Sequence, residues 1–227
     1  MTAWAQTVTG RALVYEKPVF TAEHLFTEIG HGLSLIARFA GQTDIAYSVA
    51  QHSVLMAESA LDETGDGELA AHCLLHDGHE ALIGDRPRPM AEAVAHEARI
   101  RCAARFASQA AAAVVVAVFQ DAEARVKARL DAAIWKAAGL DEPTSRIAAL
   151  VKSYDLRALA TEKRDLMRPA PRPWNERVEA SPPLRLRQGR IRPWPPAIAE
   201  ERFAAALTAL CPDAAKAAGR TLSEGAA

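Results

Sequence analysis

The chain has 227 residues, with 27 basic and 28 acidic side chains and a formal net charge of −1. Such a balance creates no overall field toward DNA, RNA or an anionic bilayer, so we predict neither a nucleic acid polymer nor a membrane as partner. Half of the residues are apolar and only 6% are aromatic, which favours close-packed helices over a sheet-rich fold. The sequence therefore predicts one all-α domain.

The cysteines and the N-terminal residues bear on the cellular compartment. Cys73, Cys102 and Cys211 are far apart, odd in number and lie in apolar contexts, which indicates reduced core thiols rather than disulfides. The first residues show no basic region followed by an apolar one, and no run of 18 uncharged apolar residues occurs. We therefore expect a cytoplasmic protein without an export signal or a membrane anchor.

An N-terminal arm and a helical core follow from the residue pattern. TVTGRALVYEKPV at residues 7–19 combines a Gly turn signal with a β-prone stretch, so residues 1–21 are predicted to form a short hairpin or extended arm. From residue 22 to residue 168, apolar residues recur at the helical period. LLHDGHEALIGD at residues 74–85 continues one of these helices, which the prolines of DRPRPM end.

Residues 91–138 predict one long helix or two consecutive helices, with a break near Gln120 and Asp121. Within them, QAAAAVVVAVF at residues 109–119 is apolar on all sides. Such a stretch is typical of a helix buried in the core, or else of one buried against a second subunit. On the second interpretation, the protein is a homodimer.

The C-terminal quarter is rich in proline and arginine. Residues 169–196 hold eight of the 13 prolines, and residues 163–192 hold nine Lys or Arg against three Asp or Glu. This excess is either a solvated flap or a rim that attracts an anionic substrate. Residues 169–212 are thus predicted to be an irregular segment and a last helix packed on the core, and residues 213–227 a flexible tail.

Charged groups inside the apolar run LLHDGHEALIGD need partners, because an unpaired buried carboxylate is costly. On a helix, His76 and Glu80 are four apart and Asp77 and Glu80 three apart, so all three can face one cavity. Imidazole with carboxylate is a transition-metal ligand set. A His-Asp doublet alone is weak evidence for a metal site, because such pairs often occur by chance. His52 and Asp155, however, are each a polar residue within an apolar helical stripe and could complete a site.

Four segments, at residues 33–41, 47–53, 74–89 and 154–166, resemble in this order a known family. The chain resembles the HD-domain metal-dependent phosphohydrolases, named for their His-Asp doublet, and within them the YfbR-like 5′-deoxynucleotidases and the prophage-encoded YfdR-like proteins. The resemblance runs from about residue 7 to residue 210. It implies an all-α HD-domain helical bundle with hydrolase activity in nucleotide metabolism.

The resemblance also implies a role for each matching residue. One divalent ion (Co, Mn, Ni, Fe, Zn or Mg) is implied, with the ligands His52, His76, Asp77 and Asp155. Glu80 is implied to be catalytic beside Asp77, handling the proton of the attacking water. Two substrate contacts are implied, Arg38 on the phosphate and Asp85 near the deoxyribose. Phe39, next to Arg38, could lie against the sugar or base, and His79, next to Glu80, could contact the phosphate or support a metal ligand from behind.

Several alternatives stay open. Arg38 could form only a salt bridge at a helix end, and Asp85 could only cap the turn before Pro87. The expected activity is removal of the 5′-phosphate from deoxynucleoside monophosphates. A deoxynucleoside triphosphate triphosphohydrolase and a non-catalytic nucleotide-binding module are the alternatives. One ion is favoured over two, because all seven histidines precede residue 97 and two-metal relatives take histidines from later helices.

Overall fold

The computed structural model describes residues 2–224, and within them the chain is all-α apart from one small sheet. Strands β1 (Trp4–Gln6) and β2 (Ala12–Val14) form the predicted N-terminal hairpin, antiparallel and with Trp4 opposite Val14. Gly10 has φ +86° in the connecting turn, a backbone conformation that favours glycine. The hairpin and the all-α class are both confirmed.

The helices follow in chain order. A π-helical turn, Leu25–Gly30, joins the first two helices, and a 3₁₀ turn, Arg38–Gly41, follows the second. The helices are α1 (Ala22–His24), α2 (His31–Leu35), α3 (Val49–Thr64), α4 (Gly67–Leu75), α5 (Glu80–Ile83), α6 (Arg88–Phe106), α7 (Gln109–Ala138), α8 (Ser145–Leu166), α9 (Glu176–Glu179), α10 (Pro196–Leu210) and α11 (Pro212–Glu224).

Helix α3 lies at the centre of the fold, packed against α4, α8 and α10. Ser48 caps its N-terminus by accepting a hydrogen bond from the backbone N–H of Gln51, and Gly65 ends it in the left-handed conformation. Most of its residues are buried, including the polar His52. A buried polar side chain needs a partner, so α3 carries the first element of the site.

The hairpin is held to the core by the buried carboxylate of Glu28 in the π-helical turn. Arg11 Nη2 donates to Glu28 Oε2 at 2.6 Å, and the Thr7 hydroxyl donates to Glu28 Oε1 at 2.7 Å. The Thr9 hydroxyl donates to the same oxygen. These contacts attach residues 7–11 to the helical domain by a buried, charge-assisted network.

Three predictions about helix boundaries are wrong. The His-Asp doublet is not inside a helix, since α4 ends at Leu75 and residues 76–79 form a turn before α5. Residues 91–138 do break, but at residues 107–108 rather than near Gln120: Ala107 has φ +49°, and Ser108 caps α7. The described part of the predicted tail is helical, because α11 packs against α1 and buries Ala214 and Ala218; residues 225–227 lie outside the described range.

Helices α6 and α7 pack against each other as a long hairpin. Of residues 109–119, only Ala112 and Val116 are buried, so the stretch is not a core helix. Val118 and Phe119 are 63% and 64% exposed, and Val114 and Val115 lie beside them on the same face of α7. This apolar stripe is unpartnered within the described chain.

Residues 169–195 are irregular apart from α9, as the proline content predicts. Cys73 and Cys211 are buried free thiols as expected, whereas Cys102 is only half-buried on α6. Among the helices of residues 2–224, none combines the length and apolarity needed to cross a bilayer.

Candidate metal centre

Three elements present the predicted ligands. His52 projects from the buried centre of α3, Asp155 from α8, and His76 and Asp77 from the turn after α4. The turn is tightened by hydrogen bonds from Gly78 N–H to the Leu75 carbonyl at 3.0 Å and from Glu80 N–H to the Asp77 carbonyl at 2.9 Å. The four side chains therefore come from separate parts of the chain to one point.

Gly78 lets this turn approach α7. A Cβ atom at this position would lie 3.1 Å from the Leu75 carbonyl oxygen and 3.2 Å from Ile134 Cδ1. A larger residue would push the doublet away from α7, so glycine is required here by close packing rather than by a positive φ.

Four ligand atoms converge in the predicted set. His76 Nε2 lies 3.0 Å from Asp77 Oδ2, and His52 Nε2 lies 3.4 Å from His76 Nε2. His52 Nε2 also lies 3.7 Å from both Asp77 Oδ2 and Asp155 Oδ1. Atoms about 2.1 Å from a shared ion lie about 3.0 Å apart at a right angle and about 3.4 Å apart in a tetrahedron. The separations of 3.0 and 3.4 Å match such edges, and those of 3.7 Å are slightly wider. Ligand atoms of His52, His76 and Asp155 all lie within 4.8 Å of one another, and Asp77 lies between this group and a neighbouring group with His79 and Glu80.

The imidazoles are oriented for metal binding. Nδ1 of His52 faces Glu162 Oε1 at 2.7 Å, and Nδ1 of His76 faces the Cys73 carbonyl oxygen at 2.8 Å. Both partners can only accept when Glu162 is ionised, so each ring donates from Nδ1 and a neutral ring keeps its lone pair on Nε2. Neutral rings in this orientation would turn two Nε2 lone pairs toward each other and toward two carboxylates, so the donor set fits a metal ion between them.

The charges at the centre also favour a cation. Burial lowers the pKa of His76, but Asp77, Asp155 and the Cys73 carbonyl outweigh burial and raise the pKa to about 9. Burial raises the pKa of Asp77 and of Asp155, yet the nearby histidines hold both pKa values below the ordinary range. Both carboxylates are therefore ionised at neutral pH, and without metal the Nε2 of His76 carries a proton that a bound ion would displace.

Behind the ligands, Glu162 on α8 is fully buried and holds two groups of the site. It accepts hydrogen bonds from His52 and from Arg38 Nη2, the latter at 3.2 Å. Burial raises the pKa of Glu162, but Arg38 and His52 together with a hydrogen bond from Tyr47 keep it below its usual value. Carboxylate partners of this kind orient a histidine ligand and increase its basicity.

Arg38 extends the charged network to the doublet, because its Nη1 lies 3.6 Å from Asp77 Oδ2. The guanidinium is buried. A salt bridge at a helix end, the alternative role for Arg38, does not describe these contacts fully. Arg38 lies between the candidate ligand Asp77 and the supporting Glu162.

The turn that carries Arg38 is strained and bears an aromatic side chain. Phe39 and Ala40 have φ +56° and +51°, an uncommon conformation for residues other than glycine. The carboxylate of Asp85 accepts a hydrogen bond from the Phe39 backbone N–H, which supports this turn. The Phe39 ring centroid lies 6.1 Å from that of Trp174 in the proline-rich segment. Asp85 and Phe39 are thus both brought to the edge of the centre.

Glu80 lies close to Asp77, and its carboxylate oxygen is within 4.8 Å of ligand atoms of Asp77 and His79. Burial raises the pKa of Glu80, and the charges of Asp77 and Asp85 raise it further, to about 9. Its Oε2 is buried without a hydrogen-bond partner among the described residues. A carboxyl group with such a raised pKa is suited to exchange a proton during a reaction.

His79 has a partner that the sequence interpretation missed. Its Nδ1 lies 2.8 Å from Oδ1 of Asp131 on α7. Ligand atoms of Asp77, His79 and Glu80 lie within 4.8 Å of one another. The pair with Asp131 occupies Nδ1 and leaves Nε2 as the ring nitrogen that is free for another contact.

All nine predicted site residues lie in or beside one cluster, but three further residues were missed. Glu162 had a usable signal, because it follows Asp155 by seven residues and so lies on the same face of α8. No such signal marked the other two residues. Asp131 is a charged residue on the amphipathic helix α7, and Trp174 lies in the irregular proline-rich segment.

Two known proteins are similar to this chain, and no family model matches it. An uncharacterized protein of Rhodobacter capsulatus is 42% identical over 98 residues, which cover 40% of this chain and 48% of that protein, so the match spans about half of the relative's length. The uncharacterized protein YfdR of Escherichia coli is 30% identical over 164 residues, 72% of each chain. The chain therefore belongs to the family of YfdR.

Proposed function

We propose that the protein is a metal-dependent phosphohydrolase that removes the 5′-phosphate from deoxynucleoside monophosphates. The observation that carries the proposal is the convergence of two imidazole Nε2 atoms and two carboxylate oxygens, 3.0–3.7 Å apart for the measured pairs. The sequence resemblance to HD-domain phosphohydrolases supports the reaction class, and membership of the YfdR family is compatible with it.

The donor set indicates which ions would fit. His52, His76, Asp77 and Asp155 would hold one divalent transition-metal ion, since imidazole nitrogen suits Mn, Fe, Co, Ni or Zn better than Mg. When bound, the ion supplies positive charge that polarises a phosphoryl oxygen and lowers the pKa of a coordinated water.

Arg38 is the group that we assign to the phosphate. Its guanidinium is oriented by Glu162 and directed to Asp77, which leaves donors for phosphate oxygens beside the four ligands. A planar fork binds phosphate more specifically than an ammonium group can. Negative charge that develops on the phosphate would be stabilised by a group that is already in place.

Glu80 is the group that we assign to proton transfer. With a pKa near 9 in the metal-free protein, Glu80 carries a proton at neutral pH that it can deliver to the leaving 5′-oxygen. The charge of a bound divalent ion would lower this pKa, and the ionised carboxylate would then accept the proton of the attacking water. Phe39 and Asp85 line the side from which the sugar would enter, and His79 is held by Asp131 on the phosphate side.

The test is a product analysis with purified protein. dAMP and dATP are incubated separately with Mn²⁺, Co²⁺, Ni²⁺, Fe²⁺, Zn²⁺ or Mg²⁺, and the products are separated by ion-exchange chromatography. The proposal predicts deoxyadenosine and free phosphate from dAMP. Glu80→Gln is the control for contaminating phosphatases, because its turnover must fall while a contaminant's would not.

One observation favours a triphosphohydrolase as second candidate. Lys163 Nζ lies 5.7 Å from the Trp174 ring centroid, and Trp174 contacts Phe39, so the basic segment reaches the edge of the centre. Release of tripolyphosphate from dATP, without hydrolysis of dAMP, would replace the first proposal with the second. Nucleotide binding without turnover under any of these ions would instead indicate a non-catalytic module.

A further inference from the structure

A cavity of about 220 Å³, lined by none of the candidate metal ligands, lies between α3, α10 and the loop of residues 186–194. Its wall contains four arginines, Arg187, Arg190, Arg192 and Arg202, and one carboxylate, Glu58. Guanidinium groups that share a cavity repel one another, and an anion between them would remove that repulsion. The cavity takes no part in the hydrolysis proposed above.

The four arginines are not equally engaged. Arg187 makes two hydrogen bonds to Asp62, at 2.6 and 2.7 Å, and Arg190 Nε lies 3.3 Å from Asp165. Arg192 and Arg202, both exposed, make no side-chain hydrogen bond or close ion pair with the side chains that the structure describes, those of residues 2–219. Two guanidinium groups therefore keep their donors for a ligand.

Arg202 is held in place without using its donors. Its guanidinium carbon lies 4.4 Å from the centroid of the Trp194 ring, a cation–π contact. A stacked guanidinium still presents its N–H groups at the edge, where they can bind a phosphate in a bidentate manner.

The loop that carries the arginines is tied to both helices of the metal centre. On α3, the Gln51 side chain donates to the Arg192 carbonyl at 2.8 Å and accepts from the Trp194 N–H at 2.9 Å, and Gln51 adjoins His52. On α8, the buried carboxylate of Asp165 accepts from the Ile191 N–H at 2.9 Å. A ligand that orders the loop would therefore also restrain α3 and α8.

We propose that this cavity is an anion-binding site for the phosphate chain of a small molecule, separate from the metal centre. The chain would lie between Arg192 and Arg202, with Arg187 and Arg190 at its sides. Glu58, the one carboxylate of the wall, disfavours a bare anion on its side of the cavity and leaves that side for a hydrogen-bond donor of the ligand. A nucleoside polyphosphate and inorganic tripolyphosphate share the required chemistry.

The test is binding calorimetry on the full chain in EDTA, where turnover is suppressed. Tripolyphosphate and dATP are titrated separately into the wild type, into the double variant Arg192→Ala/Arg202→Ala, and into the control double variant Arg99→Ala/Arg105→Ala. The control removes the same charge from exposed positions of α6. We expect the wild type and the control to bind at least one probe with Kd below about 1 mM, and the cavity variant to bind it at least about tenfold more weakly.

The pattern of binding to the two probes identifies the ligand class. Equal binding of both probes identifies the phosphate chain alone as the ligand, and binding of dATP alone identifies a nucleotide. Equal losses in the cavity and control variants would show non-specific charge attraction and overturn the proposal. Absence of binding to either probe would also overturn it. None of these results depends on whether the protein hydrolyses nucleotides.

Discussion

Nδ1 of His52 lies 2.7 Å from Oε1 of Glu162, and both side chains are fully buried. The pair joins α3 to α8 and directs the opposite ring nitrogen of His52 to the other candidate ligands. Because Glu162 also holds Arg38, one carboxylate orients both a candidate metal ligand and the candidate phosphate-binding group. The site therefore depends on a residue that touches neither metal nor substrate.

The first prediction concerns this carboxylate. Glu162→Gln keeps an acceptor for His52 but removes the charge opposite Arg38. We expect metal affinity, measured by competition with a chelator, to fall by about 10- to 100-fold. We also expect the free energy of unfolding to fall by up to about 3 kcal/mol, because the buried Arg38 loses its closer counter-ion and keeps only the more distant Asp77, at 3.6 Å.

Glu63→Gln is the matched control for Glu162→Gln. It removes a carboxylate that accepts two hydrogen bonds from Arg157, at 2.7 and 2.8 Å, away from the centre. We expect a loss of stability without a change in metal affinity. Wild-type metal affinity in Glu162→Gln would contradict the supporting role of Glu162.

The second prediction concerns metal occupancy. Because Asp155 is the only candidate ligand from α8, Asp155→Ala should abolish stoichiometric binding of Co²⁺ or Mn²⁺. A bound ion stabilises the folded state by mass action, so the ion should raise the Tm of the wild type and of the exposed control Asp121→Ala, but not of Asp155→Ala. Full occupancy in Asp155→Ala, measured by elemental analysis, would refute the ligand assignment.

The third prediction separates metal binding from proton transfer. Glu80→Gln keeps the shape of the side chain and removes the carboxyl group that transfers the proton, so turnover should fall by about 10²- to 10⁴-fold while the metal is retained. Glu142→Gln, in the exposed connection before α8, should retain wild-type turnover. Activity within a few-fold of wild type would make Glu80 structural and His79 the next candidate, and loss of metal would make Glu80 a ligand.

The fourth prediction concerns the stability of the N-terminal hairpin at acidic pH. Burial raises the pKa of Glu28, but hydrogen bonds from Arg11, Thr9 and Thr7 outweigh burial and lower the pKa below 4.5. A lowered folded-state pKa stabilises the fold above the unfolded-state value, and that contribution is lost as the pH falls through the folded-state value.

Glu28→Gln should therefore be less stable than the wild type at pH 7, with the difference shrinking on acidification below about pH 4.5. Urea unfolding at a series of pH values measures it, in metal-free protein so that the centre does not contribute. A difference that is constant across the series would show that Glu28 does not titrate at a lowered pKa.

The fifth prediction concerns the exposed stripe of α7. A second copy packed on Val114, Val115, Val118 and Phe119 would remove this apolar face from water. We expect light scattering to show a dimer at micromolar concentration and a monomer for Val118→Glu/Phe119→Glu. Ile45→Glu, at an exposed apolar residue outside the stripe, should remain dimeric. A wild-type protein that is monomeric at micromolar concentration would contradict the prediction.

The sequence by itself determined the fold class and the residue types of the site. Helical periodicity is a local property, since each turn repeats after 3.6 residues, so the helices of the core could be predicted without knowing how they pack. The same local pattern also marked His52 and Asp155, because each is a polar residue on an otherwise apolar face of its helix. A polar residue on a face that otherwise faces the core signals a buried partner.

Tertiary packing decided where elements end. The doublet lies in a turn because Gly78 lets that turn approach Ile134 on α7, a contact 56 residues away in the chain that no local pattern records. Residues 212–224 are helical because Ala214 and Ala218 find a surface on the folded domain. The terminal position alone suggested a flexible tail.

Tertiary packing also decided which charges meet. Glu162 and Asp131 are charged residues on helices, and in sequence such residues are typical of a solvated face. Their partners, His52 and His79, lie 110 and 52 residues away. Whether a carboxylate faces water or a buried imidazole depends on which helix packs against it, and that is a property of the assembled core rather than of any segment.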